Sequence, residues 1–124
     1  MPSSFDLSQL TNPKITNFSE SIYAPMQSKT YIIDLQFGTI QMLTTIGDTT
    51  IYLPNPVGGK HYTLMIVYGG THTLTWVGGT QLSYSIRWPG GIVPMPTSIA
   101  GKIDFYNFFS DGIVTYGQDG GRNF

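Results

Sequence analysis

Residues 88–124 read WPGGIVPMPTSIAGKIDFYNFFSDGIVTYGQDGGRNF, and this stretch decides the predicted fold. Lys102–Phe109 and Ile113–Tyr116 are rich in β-branched and aromatic side chains, with the alternation that is typical of strands. The Asp111–Gly112 pair separates these two runs. Because Gly adopts positive φ at little cost, an Asp-Gly pair in this position indicates a two-residue or three-residue hairpin. We therefore predict two antiparallel strands at the end of the chain.

The chain before this hairpin repeats the same pattern. Clusters of Gly and Pro separate short runs of β-branched and aromatic residues, as in an all-β sandwich or barrel. One strand for each run gives 31–37, 40–45, 49–53, 61–68, 71–77, 81–87, 102–109 and 113–116. About eight short strands in a chain of this length favour an all-β fold, an antiparallel jelly-roll-like sandwich.

One predicted strand is apolar on both faces. Within residues 61–68, Tyr62 and Leu64 alternate with Met65 and Val67. A strand of a two-sheet domain places one face in the core, so apolar residues on its other face indicate that something packs there. A neighbouring subunit is the simplest candidate.

The first part of the chain lacks this periodicity. We predict an extended N-terminal arm over residues 1–28 and a β-sandwich domain over residues 29–124. An extended segment with scattered apolar residues can lie along another protein or add a strand to its edge. The side chains expected to make this contact are Phe5, Leu10, Phe18 and Tyr23. The alternative is a loose tail, or a first strand that covers the sandwich's own edge.

The composition is weakly charged, with 10% charged residues and a net charge of -1. Recognition of nucleic acid and anionic membranes depends on clustered Lys and Arg, so neither partner is expected. Low charge also predicts that copies or partners cover much of the surface, and the alternative is a small, moderately soluble monomer. The chain has no Cys and no apolar run of membrane-spanning length, so we expect a protein made in the cytosol.

Residues that could carry chemistry are few and scattered. His61 and His72 have no partner at metal-ligand spacing, and the glycine-rich runs do not precede a helix that could hold phosphate. Asp111–Gly112 and Asp119–Gly121 each offer one local carboxylate, whereas calcium requires several converging oxygens. We therefore predict a protein that is not an enzyme and that uses no cofactor or metal.

Three groups of residues resemble one known kind of module. Pro54–Lys60 contains an Asn-Pro turn, Thr73–Trp76 a first Trp strand, and Trp88–Phe124 a Trp-Pro-Gly-Gly turn with the terminal hairpin. Together, residues 51–124 resemble the C-terminal β-sandwich modules of virion structural proteins in tailed bacteriophages. The resemblance implies a structural part of a particle rather than a reaction.

Modules of this kind occur in small virion proteins and at the ends of tail fibres. Given the short chain and the predicted arm, the resemblance implies a capsid decoration (cement) protein on the virion surface. Such a protein would clamp neighbouring subunits of the major capsid protein, as a homotrimer. Because many copies act together on one shell, weak individual contacts would suffice.

The alternative is a tail-fibre or receptor-binding module that contacts host-surface glycan through aromatic rings. The candidate rings are Trp76, Tyr84, Trp88, Tyr106 and Tyr116. For Trp76 and Trp88, filling the space between two sheets is the preferred interpretation. A third alternative is a free, non-viral carbohydrate-binding or enzyme-accessory sandwich.

Overall fold

The computed structural model describes residues 19–25 and 27–124. These residues form eight strands and two short 3-10 turns, Leu35–Phe37 and Pro89–Gly91. The strands are β1 (Ile22–Tyr23), β2 (Ser28–Ile32), β3 (Ile40–Tyr52), β4 (Lys60–Val67), β5 (Leu74–Val77), β6 (Ile86–Arg87), β7 (Ile103–Ser110) and β8 (Thr115–Gly121). The predicted all-β sandwich of about eight strands is confirmed. Within the described ranges, no helix has the length and apolar character needed to cross a membrane.

Strand β3 belongs to both sheets of the sandwich. The large sheet has the order β1-β3-β4-β7-β8-β6, and the small sheet consists of β2, β3 and β5. The break predicted between residues 45 and 49 is absent, because β3 continues from one sheet into the other. A Cβ at Gly47 would lie 2.7 Å from Cε of Lys29, so this glycine marks a close side-chain approach inside the strand.

Strand directions differ from the predicted antiparallel arrangement. Strands β1, β2, β4 and β5 all run parallel to β3, and β6 runs parallel to β8. Antiparallel pairing joins β4 to β7 and β7 to β8. Strands β1 and β4 flank β3 in the large sheet, and β2 and β5 flank it in the small sheet. Alternation in the sequence reports which face is buried, and it carries no information on strand direction.

The predicted hairpin joins β7 to β8. Ser110 pairs with Thr115, so residues 111–114 form the loop, which is longer than predicted. The Asp111 carboxylate accepts hydrogen bonds from the N–H groups of Ile113 and Val114, each at 2.8 Å. These bonds to Val114 and Ile113 lower the pKa of Asp111. The aspartate side chain therefore replaces backbone partners and stabilises the longer loop.

The core lies between the two sheets and is rich in aromatic rings. Trp88 is buried, and the partly buried Trp76 packs against it with ring centroids 5.5 Å apart. Trp76 also contacts Tyr106 and Phe108. A Cβ at Gly117 would lie 2.7 Å from Cζ3 of Trp88, so the missing side chain makes room for the indole. The predicted core role of Trp76 and Trp88 is confirmed.

A fully buried carboxylate, Asp104, connects three parts of the sandwich. It accepts hydrogen bonds from the Tyr68 hydroxyl at 2.7 Å, from the N–H and hydroxyl of Thr97, and from the N–H of Asn123 at 2.9 Å. Burial raises the pKa of Asp104, but the bonds from Thr97, Tyr68 and Asn123 outweigh burial and hold this pKa below its usual value. The carboxylate thus fastens the C-terminal residues to β4 and β7.

The end of the predicted arm lies at an edge of the large sheet. Ile22 and Tyr23 of β1 pair with Ile40 and Gln41 of β3. The Tyr23 ring stacks on Phe37, with centroids 4.7 Å apart. For these residues the structure agrees with the alternative of an edge-covering strand, while residues 1–18 lie outside the described part of the chain.

Candidate functional site

Groups that could support acid-base or metal chemistry do not converge. No three His, Asp or Glu residues of the described ranges form a group that could hold a metal ion. His72 lies with Nδ1 at 2.8 Å from the Thr45 hydroxyl, and His61 is exposed on β4. The Asp48 carboxylate accepts the Thr73 N–H at 3.0 Å, which lowers its pKa. His72 and Asp48 are engaged in contacts within the fold, so the surfaces of the described residues are the remaining candidates.

A wide concave surface of the described residues is a groove beside β5, called the β5 groove here. Its volume is about 1180 Å³, and Trp76, Tyr84 and Trp88 line it. Among the described residues, no Asp, Glu, Lys or Arg side chain lines the groove. Ile32 and Leu82 on the same groove are 68% and 107% exposed. The groove is therefore an open, uncharged and mainly apolar surface.

The Asn-Pro turn seen in the sequence holds one wall of the β5 groove. Asn55 Oδ1 accepts hydrogen bonds from the Thr80 N–H at 2.7 Å and from the Thr80 hydroxyl at 3.2 Å. Residues 81–87 were predicted as a strand, but only Ile86–Arg87 are paired. The N–H of Tyr84 donates to the carbonyl of Gln81 instead, which turns the chain. This turn leaves the Leu82 side chain exposed at the groove.

A second groove crosses the outer face of the large sheet at its far end. The pairings of β4, β7, β8 and β6 align four side chains in one line, His61, Phe109, Tyr116 and Arg87. We call this line the aromatic row. The groove along it has a volume of about 520 Å³ and also contacts Asn107 and Gln118, which pair with each other in the next line of the sheet.

Arg87 and His61 lie at the two ends of the aromatic row. Among the described residues that line the groove there is no Asp or Glu, and Arg87 is the charged side chain. Among the described residues, Arg87 forms no salt bridge, since the single pair found there joins Arg122 to Asp119. Asp111 reaches the rim, where its carboxylate accepts the Tyr116 hydroxyl at 3.4 Å. The row combines two aromatic rings with a guanidinium that has no carboxylate partner in the described part of the chain.

The outer face of β4 follows the sequence prediction. Tyr62 and Leu64 point into the core, whereas Met65 and Val67 lie on the outside and are partly exposed. Met65 pairs with Phe105 of β7, which extends the apolar outer face to the next strand. This face is a third surface on which another protein could pack.

The predicted contact residues are spread over several places. Phe5, Leu10 and Phe18 lie outside the described residues, and Tyr23 stacks at the sheet edge as described above. The proposed capsid contacts therefore stay predictions. Tyr106 is fully buried, so it offers no stacking surface.

The sequence analysis missed Arg87, Phe109 and Leu82 as surface residues of the two grooves. The hairpin contained a signal for one of them. Once Ser110 and Thr115 close the loop, Phe109 and Tyr116 become direct cross-strand neighbours. Arg87 joins them only through the parallel pairing of β6 with β8, which the sequence did not indicate. Comparison of the chain with protein-family models, with curated proteins and with solved structures gives no match.

Proposed function

We propose that this protein is a capsid decoration (cement) protein of a tailed bacteriophage, a non-catalytic virion component that binds and stabilises neighbouring major capsid subunits. The observation that carries the proposal is the uncharged β5 groove with Ile32 and Leu82 exposed beside it. Free soluble proteins rarely leave large contiguous apolar surfaces open, and such surfaces usually bind another protein. The resemblance of residues 51–124 to phage virion modules supports a capsid as that partner.

Two further features support attachment to a shell. The apolar outer face of β4, with Met65 and Val67, offers a surface for copies of the chain in a homotrimer. Residues 1–18 precede the edge strand β1 and contain the candidate contacts Phe5, Leu10 and Phe18. A segment of this length reaches up to about 60 Å when extended, which is enough to cross onto a neighbouring subunit.

The first test removes residues 1–18 and keeps β1. Because the deletion keeps β1, which pairs with β3, we expect the described sandwich to stay intact. We expect the truncated protein to unfold at the same temperature and to lose its attachment to capsids that lack the protein, measured by co-sedimentation. Full attachment after truncation would exclude a role for this segment.

The second test changes the β5 groove. The double variant Ile32→Ser, Leu82→Ser removes two exposed apolar side chains from the groove, so capsid binding should weaken while the fold persists. Ile113→Ser is the matched control, because Ile113 is 78% exposed in the hairpin loop and does not line the groove. Equal capsid binding by the double variant and the control would argue against the groove as the docking site.

A second candidate function is a tail-fibre or receptor-binding module that contacts host glycan. Its support is the presence of Trp76 and Tyr84 in an open groove together with the polar side chains of Asn55 and Gln81. Cryo-electron microscopy of a virion that carries the protein separates the two candidates. Density on the shell would support decoration, and density confined to the tail would support host recognition.

A further inference from the structure

The aromatic row is a flat, solvent-facing line of side chains with one residue from each of four strands. Neighbouring strands are about 4.8 Å apart, so the row extends about 14 Å from His61 to Arg87. Phe109 and Tyr116 lie at its centre and are 46% and 41% exposed. Phe109 and Tyr116 are neighbours on adjacent strands, and together they offer an exposed apolar surface, called the plate here, on which a sugar ring can pack.

Polar groups lie beside this plate. Asn107 and Gln118 occupy the adjacent line of the sheet and line the same groove. Asn107 Oδ1 accepts the Thr63 hydroxyl at 2.9 Å, and the Asn107 amide nitrogen lies beside Gly120. An apolar plate with a few side-chain amides is suited to a ligand that has both apolar faces and hydroxyl groups.

The charged side chain of the row favours a ligand of opposite charge. The Arg87 guanidinium has no carboxylate partner among the described residues, and a guanidinium binds a carboxylate through two parallel hydrogen bonds. His61 lies at the opposite end, and the carboxylate of Asp111 reaches only the Tyr116 hydroxyl at the rim. The groove is therefore complementary to an anionic ligand.

We infer that the aromatic row binds a saccharide whose pyranose ring carries a carboxylate, with the ring on Phe109 and Tyr116 and the carboxylate on Arg87. A uronic acid and a sialic acid both have this chemistry. Single-stranded nucleic acid also stacks on aromatic rings, but it requires a track of several cations, and the row contains one Arg. The inference does not depend on capsid binding, and it gives the second candidate function a saccharide site separate from the β5 groove.

The test measures binding of oligosaccharides to the full chain by isothermal titration calorimetry. Oligogalacturonate and an oligomer of sialic acid are the two anionic probes, and methyl-esterified oligogalacturonate is the neutral control with the same sugar ring. We expect at least one anionic probe to bind, and the matching methyl ester to bind at least about tenfold more weakly. Equal binding of acid and ester, no binding of either anionic probe, or tighter binding of a single-stranded oligonucleotide would overturn the inference.

Variants locate the site. Arg87→Gln and Tyr116→Leu alter exposed side chains of the row, so both variants should keep the unfolding temperature of the original protein. Each should bind the anionic saccharide at least about tenfold more weakly. Arg122→Gln is the matched control, because Arg122 is an exposed arginine outside this groove. Unchanged binding by Arg87→Gln would overturn the assignment. Capsid co-sedimentation of Arg87→Gln reports separately on decoration, so failure of one proposal is distinguishable from failure of the other.

Discussion

Different contacts stabilise two parts of the fold. Strands β1 to β5 are called the parallel half here, and the β7–β8 hairpin is the other half. In the hairpin, the Asp111 carboxylate bonds to N–H groups two and three residues away. In the parallel half, contacts join distant segments, because the Thr45 hydroxyl accepts the Gly69 N–H at 3.1 Å and lies 2.8 Å from His72 Nδ1. Asp104 of β7 then bonds to residues of both halves. Closing a long loop costs more entropy than closing a short one, so the parallel half depends more on tertiary contacts.

Removing the Asp104 carboxylate, which bonds to residues of both halves, should cause the largest loss of stability. Asp104→Asn replaces a buried acceptor with an amide group that faces donors, including the Tyr68 hydroxyl and the Thr97 N–H. We expect a loss of about 3 kcal/mol in the free energy of unfolding. Urea denaturation measures this loss. Asp119→Asn is the control, since the exposed Asp119–Arg122 pair should contribute little.

The parallel half should be sensitive to a single methyl group at one position. In Gly69→Ala the new Cβ would lie 2.2 Å from the backbone oxygen of Thr45, so β3 or the chain after β4 must move. We expect a loss of about 2 kcal/mol. Gly47→Ala is the matched control, because its Cβ would meet the flexible end of Lys29 and should change stability little. Equal losses from both variants, measured by thermal unfolding, would contradict this explanation.

Lowering the pH should reduce the free energy of unfolding, because carboxylates stabilise both halves. The folded state lowers the pKa of Asp104, Asp48 and Asp111. A group with a lowered folded pKa stabilises the fold above its unfolded pKa, about 3.9 for Asp, and loses that contribution as pH falls through the folded value. We expect constant stability from pH 7 to about pH 5 and a fall below about pH 4. Urea denaturation across this range tests it, and Asp104→Asn should flatten the fall.

The smallest effect is expected within the hairpin. Asp111→Ala removes the acceptor for the N–H groups of Ile113 and Val114, so the loop loses its side-chain stabilisation. We expect a loss less than half that of Asp104→Asn, because the loop is exposed and water can replace the carboxylate. Asp111→Asn keeps an acceptor oxygen and should recover much of the loss in thermal unfolding. A loss as large as that of Asp104→Asn would remove the proposed difference between the halves.

The two halves also differ in how well the sequence predicted their structure. The hairpin was predictable because its signal, Asp111–Gly112, lies between the strands that it joins. The parallel pairing of β3 with four other strands was not, since alternation does not encode direction or the partner of a strand. The continuity of β3 through Gly47 was also hidden, because a glycine for a turn and a glycine for a close approach look the same in sequence.

The candidate surfaces were predictable to a smaller extent. Trp76 and Trp88 were correctly expected in the core, and Met65 and Val67 on the outer face of β4. The aromatic row required knowledge of which strands are neighbours, because His61 and Arg87 come from parts of the chain distant from the hairpin that holds Phe109 and Tyr116. The residue types alone could not predict that Arg87 lies beside Tyr116.

The passage of β3 through both sheets has a mechanical consequence. Met42 pairs with Met65 in the large sheet, and Tyr52 of the same strand lines the β5 groove. One continuous strand therefore connects the outer face of the large sheet to the β5 groove. Because one strand pairs in both sheets, the sheets cannot slide independently of each other at β3 without breaking its backbone hydrogen bonds.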